Sequence, residues 1–159
     1  MIHESLRTRS PRTSPASIRF AWIAALLVAQ SALAAHAQEP LARTPSPEGA
    51  RIYFIGIADG DEMSNPVVIR FGLSGMGVAP AGIEKPETGH HHLLIDTELT
   101  DLSLPIPADD THRHFGGGQT EVSLDLPPGN HTLQLVLADH LHVPHEPPVV
   151  SERIAITVK

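Results

Sequence analysis

From Val67 onward, apolar residues recur at every second position. Val67, Ile69, Phe71 and Leu73 form one row; Val122, Leu124 and Leu126 a second; Leu133, Leu135 and Leu137 a third; Ile154, Ile156 and Val158 a fourth. A period of two places each row on one face of an extended strand, whereas a helix would need a period near 3.6. Turn signals separate the rows: Asp59-Gly60-Asp61, a Gly/Pro/Ala-rich loop over residues 74–89, and Pro127-Pro128-Gly129-Asn130. Residues 51–57, β-branched and aromatic, predict a further strand at the front, and residues 90–96 one in the middle. No amphipathic helical stretch follows residue 37.

About six short strands split by turns predict an all-β fold, here a small antiparallel immunoglobulin-like β-sandwich. The rows Val67/Ile69/Phe71, Val122/Leu124/Leu126 and Leu133/Leu135/Leu137 should meet in one core between two sheets. Tyr53, Phe54, Phe71 and Phe115 are the aromatic residues available to that core. Residues 97–120 carry Pro105, Pro107 and Gly116-Gly117-Gly118, and read as a long irregular stretch. The strand, Pro-Pro-Gly turn, strand and short tail at the C-terminal end resemble the close of bacterial immunoglobulin-like modules.

The first residues belong to a different category. Arg7, Arg9, Arg12 and Arg19 form a basic segment, residues 20–34 an apolar run broken only by Gln30 and Ser31, and Ala35-His36-Ala37 a small-x-small site. This is the pattern of a Sec-type secretory signal peptide over residues 1–37. The run is short for a permanent span, which takes about 20 apolar residues. No Arg-Arg pair marks twin-arginine export. The expected organisation is therefore signal peptide 1–37, a Pro-rich flexible linker 38–50 and a domain 51–159, periplasmic or secreted, with no membrane span in the mature form. The mature chain would keep a net charge of about −10, since the leader holds four of the eleven Lys and Arg and one of the eighteen Asp and Glu. Such a surface repels nucleic acid.

There is no cysteine in the chain. Disulfides, thiolate metal sites, a Cys nucleophile and a lipidated Cys are all excluded. Nucleotide loops are absent too: Pro80 stands where the third Gly of a dinucleotide fingerprint is required, and no Gly-Lys-Ser/Thr follows. Gly72-Leu73-Ser74-Gly75-Met76 lacks the final Gly of a nucleophile elbow. Asp59, Asp61 and Glu62 lack the twelve-residue spacing of a calcium loop.

Nine of the eleven histidines lie after residue 37, most of them in three groups: His90-His91-His92, His112-Arg113-His114, and His140-Leu141-His142 with His145 beyond. Each group holds a His-x-His pair. On a strand, residues i and i+2 share a face, roughly 6.6 Å apart, so each pair could grip one ion. His91 turns to the opposite face, with Leu93 and Ile95. The candidate ligands are His90, His92, His112, His114, His140 and His142, with Asp96 or Glu146 orienting a ring by accepting its second N–H. Neutral imidazole suits Cu or Zn. His-Glu-x-x-His is absent, because His145-Glu146 runs into Pro147-Pro148.

Three segments, residues 89–96, residues 114–121 and residues 127–135, resemble an uncharacterised bacterial exported family, domain of unknown function 4399. The resemblance spans roughly residues 51–159 and implies a small exported domain, with no activity to transfer. The leading functional expectation is a periplasmic domain that binds Cu or Zn through clustered histidines for carriage or buffering. Loss of binding is expected as pH falls through about 6.5, where free histidine protonates. A second class is an immunoglobulin-like interaction module without metal, gripping an envelope protein. A third is a metal-dependent enzyme, for which no carboxylate stands out as the base.

Overall fold

The computed structural model describes residues 43–159, so the expected signal peptide and residues 38–42 of the expected linker lie outside the described residues. The described chain is all-β. Nine strands follow one another: β1 Arg51–Ile55, β2 Glu62–Met63, β3 Val67–Ser74, β4 Gly77–Val78, β5 Thr88–Ile95, β6 His112–Phe115, β7 Glu121–Leu124, β8 Gly129–Ala138 and β9 Ile154–Val158. Among the described residues no helix is long and apolar enough to cross a membrane.

A three-stranded sheet has the order β1-β3-β7, antiparallel throughout, with Phe54 opposite Phe71 and Ile69 opposite Val122. A larger sheet runs β2-β9-β8-β5-β4, and β6 also pairs with β5. The larger sheet is mixed, where purely antiparallel pairing was expected. Its parallel pairings are those of the two-residue strands, β2 on β9 and β4 on β5. Both are short stretches of loop laid against a strand that would otherwise leave backbone groups unpaired, which is how sheet edges are usually blunted.

One apolar core joins the two sheets. Val67, Ile69 and Phe71 of β3 meet Leu93 and Ile95 of β5, Leu133, Leu135 and Leu137 of β8, and Ile154, Ile156 and Val158 of β9, with Leu126 buried and Val122 and Leu124 packed against them. The rings of Phe71 and Phe115 sit 4.8 Å apart at 55°, a tilted arrangement that suits aromatic quadrupoles. Tyr53 is not in this core and remains 42% exposed. The cause is the period of two: Ile52 and Phe54 face inward, so Tyr53 must face out. Its ring lies across Gly72, its partner on β3, where any Cβ would stand 2.2 Å from the Tyr53 ring.

Residues 97–120 are not irregular throughout, since β6 lies within them. His112-Arg113-His114-Phe115 has no apolar alternation to announce a strand. It is extended because the free edge of β5 offers it a ladder.

The core predicts its own test. Leu135 is fully buried, and Leu135→Ala should cost about 2–5 kcal/mol in equilibrium denaturation. A loss under about 1 kcal/mol would contradict its placement.

Candidate metal centre

Strand β5 is hydrogen-bonded along both edges, and all eight of its residues are buried. β8 covers one edge over His90–Ile95 in the sequence of pairs His90–Ala138, His92–Val136 and Leu94–Gln134. β6 and β4 cover the other. Alternation then divides the histidines. His91 joins Leu93 on the core side, its ring 5.1 Å from that of Phe71. His90 and His92 face the outer side, beside Leu94, Val136 and Ala138, which form a second apolar cluster with Ile106.

The register of β6 settles what joins them. His114 pairs with His92, whereas His112 pairs with Leu94. His142 arrives from the turn after β8. Four rings converge: His90 lies 4.8 Å from His92, 4.9 Å from His114 and 5.0 Å from His142, between ring centroids. His114 lies 5.0 Å from His92 and 4.8 Å from His142, and the His92–His142 pair is the widest at 6.0 Å. The Nε2 atoms of His90 and His92 are 3.0 Å apart. One ring nitrogen from each of His90, His114 and His142 lies within 4.8 Å of the other two. Four nitrogens at Zn–N bonds of about 2.0–2.1 Å stand roughly 3.3 Å apart in a tetrahedron. His90, His114 and His142 could therefore hold one ion, with His92 beside His90. His90 and His92 are fully buried while His114 is exposed and His142 half-buried. The cluster is a pit with a buried floor and an open rim.

Two local features deliver the rim. Asp139, itself buried, accepts the backbone N–H groups of Leu141 and Val143 on one oxygen and the Thr44 hydroxyl on the other. The backbone N–H of His142 donates to the Asp139 carbonyl at 3.0 Å, and that of Ile106 to the His142 carbonyl at 2.8 Å. These bonds hold His142 at φ 68°, a left-handed conformation that a residue with a Cβ adopts only when its surroundings impose it. On the other side, His114 lies against Gly116. A Cβ there would stand 2.3 Å from the His114 ring, so only glycine leaves room.

Burial favours the neutral form of three of these rings, His90, His92 and His114. Burial first, then the neighbouring His114 and His142, pushes His90 down to about 4. Burial and the surrounding imidazoles push His92 lower still, and burial lowers His114 as well. The Nδ1 atoms of His90 and His92 have no hydrogen-bond partner. His91 is also pushed to about 4 by burial. The Gln119 backbone lies near enough to oppose that shift, but not in hydrogen-bonding geometry, and both His91 nitrogens are left without a partner.

The other residues singled out from the sequence lie elsewhere. His112 is bonded through Nδ1 to Asp109. His140 contributes its carbonyl to the Gly82 N–H, and its ring is not among the four. Asp96 accepts from His131 Nδ1 and from the Thr132 N–H, each at 2.7 Å. Glu146 pairs with Arg43. The carboxylate that does bear on the site, Asp139, was not singled out. Its signal is an Asp placed to bond the second and fourth N–H groups after it, in a loop too short for strand geometry.

These features define a class: an all-β domain whose larger sheet carries a solvent-open pit of imidazoles on its outer face. The chain belongs to the family described as Domain of unknown function (DUF4399), whose profile matches residues 69–159. No curated protein and no solved structure matches it.

Two outcomes follow from the site. His90 and His91 have folded-state values near 4 against 6.5 when unfolded, so only the unfolded chain takes up their protons between those limits. Thermal stability should be indifferent to these groups above pH 6.5 and decline as pH falls from 6.5 towards 4. Melting curves across that range check this, and His91→Leu should make the decline shallower. Gly116→Ala should displace the His114 ring and weaken metal binding measured by calorimetry, with the circular-dichroism spectrum retained.

Proposed function

We propose that this chain is an exported domain that binds one transition-metal ion, Cu or Zn, through His90, His92, His114 and His142, for carriage or buffering. The convergence of ring nitrogens from three separate segments carries this reading. Imidazole is a donor for either metal, and a neutral ring need lose no proton to ligate. A binding role fits better than catalysis, because Asp139, the carboxylate that holds the His142 turn, has its oxygens engaged by Thr44, Leu141 and Val143 and is not free to act as a base. Export is supported by the basic, apolar and small-x-small pattern of residues 1–37. We read the two sheets over one core as an immunoglobulin-like sandwich. An envelope partner would exchange the ion at the His114–His142 rim.

Calorimetry with protein lacking a His-tag tests the proposal. One Cu or Zn ion per chain should bind and raise the melting temperature by mass action, and replacing His90 and His92 together by Ala should abolish both effects. Unchanged affinity in the double variant would overturn it. Because burial holds the floor histidines near or below 4, binding should survive below pH 6.5, where exposed histidines release metal, and fail as pH nears 4.

A further inference from the structure

His112 lies beside the pit and outside it. It stands two residues before His114 on β6 and so shares its face. It pairs with Leu94, two residues on from His92 along the same outer face of β5. Its Nδ1 lies 2.9 and 3.1 Å from the two oxygens of Asp109. An N–H donated there leaves the Nε2 lone pair free, which is the orientation a carboxylate gives to a metal-ligating imidazole. Asp109 is itself fixed, since its Oδ1 accepts from the backbone N–H groups of Thr111 and His112 and from the Thr111 hydroxyl, each at 2.8 Å. Those three bonds already make the turn. The ring contact is additional to it.

The surroundings suit a cation on its way in. His112 lines a cleft of about 270 Å³ with Glu98, Asp101 and Leu104. Asp101 attracts a divalent ion, whereas Glu98 is paired with Arg153. The floor of the pit, by contrast, is fully buried, so an ion must shed its water before it can reach His90 and His92. A rim ligand that replaces one water early lowers the barrier to that descent.

We propose that His112, oriented by Asp109, is a capture ligand that takes a hydrated divalent cation and passes it to the four-imidazole pit. This rests on the metal-binding reading above. A transient ligand alters the barrier and not the end states, so it must change uptake and release by the same factor.

Stopped-flow exchange of Zn²⁺ against a chromogenic chelator tests this, together with the Kd at equilibrium. His112→Ala should slow uptake and release alike, by about tenfold, with Kd unchanged. Asp109→Asn keeps an oxygen to accept the three turn bonds but no carboxylate for the ring, and should slow both rates to a lesser extent. Normal rates in both variants would overturn the proposal while leaving metal binding intact. So would a weaker Kd with unchanged uptake, the behaviour of an equilibrium ligand. Wild-type protein that takes up no zinc would overturn the metal reading and this one with it.

Discussion

The pairing of β5 along both of its edges is the constraint from which the site follows. With β8 on one side and β6 and β4 on the other, the backbone polar groups of β5 are engaged in ladders and the strand cannot slide. Sliding by one residue would exchange its faces. His90 and His92 would enter the apolar core, and Leu93 would enter the pit. The apolar partners of Leu93 and Ile95 on the core side therefore fix the histidines on the outer side. Packing on one face of a sheet has set the chemistry of the other.

Burial of neutral imidazole is unfavourable where a ring nitrogen lacks a partner, by about 1–3 kcal/mol for each such group. On the outer face, an ion would engage one nitrogen of each ring it binds. On the core side, His91 has no such outlet. Its contact with Phe71 offsets part of the cost. Three consecutive identical residues thus occupy two environments with opposite consequences for stability.

Much of this was legible in the sequence where a periodicity recorded it. The rows of alternating Val, Ile, Leu and Phe located the core strands, and the same alternation separated His91 from His90 and His92. Convergence was less legible because it depends on register. Nothing local distinguishes His114 from His112; the difference is that one falls opposite His92 and the other opposite Leu94. His140 and His142 share a face only if the chain between them is extended, and a turn closed on Asp139 rotates one away from the other. Asp96 was close to the histidines in sequence but lies just past the end of β5 at φ 56°, where the backbone turns its carboxylate towards His131. Asp139 and Asp109, which do touch the histidine segments, sit in loops whose hydrogen bonds no hydrophobic pattern encodes.

The bond from Thr44 to Asp139 has a practical side. The family profile begins at Ile69, inside β3, yet the chain that supports the pit begins earlier. Residues 43–46 lie along residues 144–147, joined by backbone bonds between Thr44, Ser46 and Glu146 and by the Arg43–Glu146 pair. They meet the same carboxylate that holds the His142 turn. Ile52 and Ile57 supply core from before the profile as well. A recombinant fragment cut to the family boundaries would lose β1 and β2, an edge strand of each sheet, and the tether of the His142 turn. A fragment meant to keep these contacts should reach back at least to Arg43.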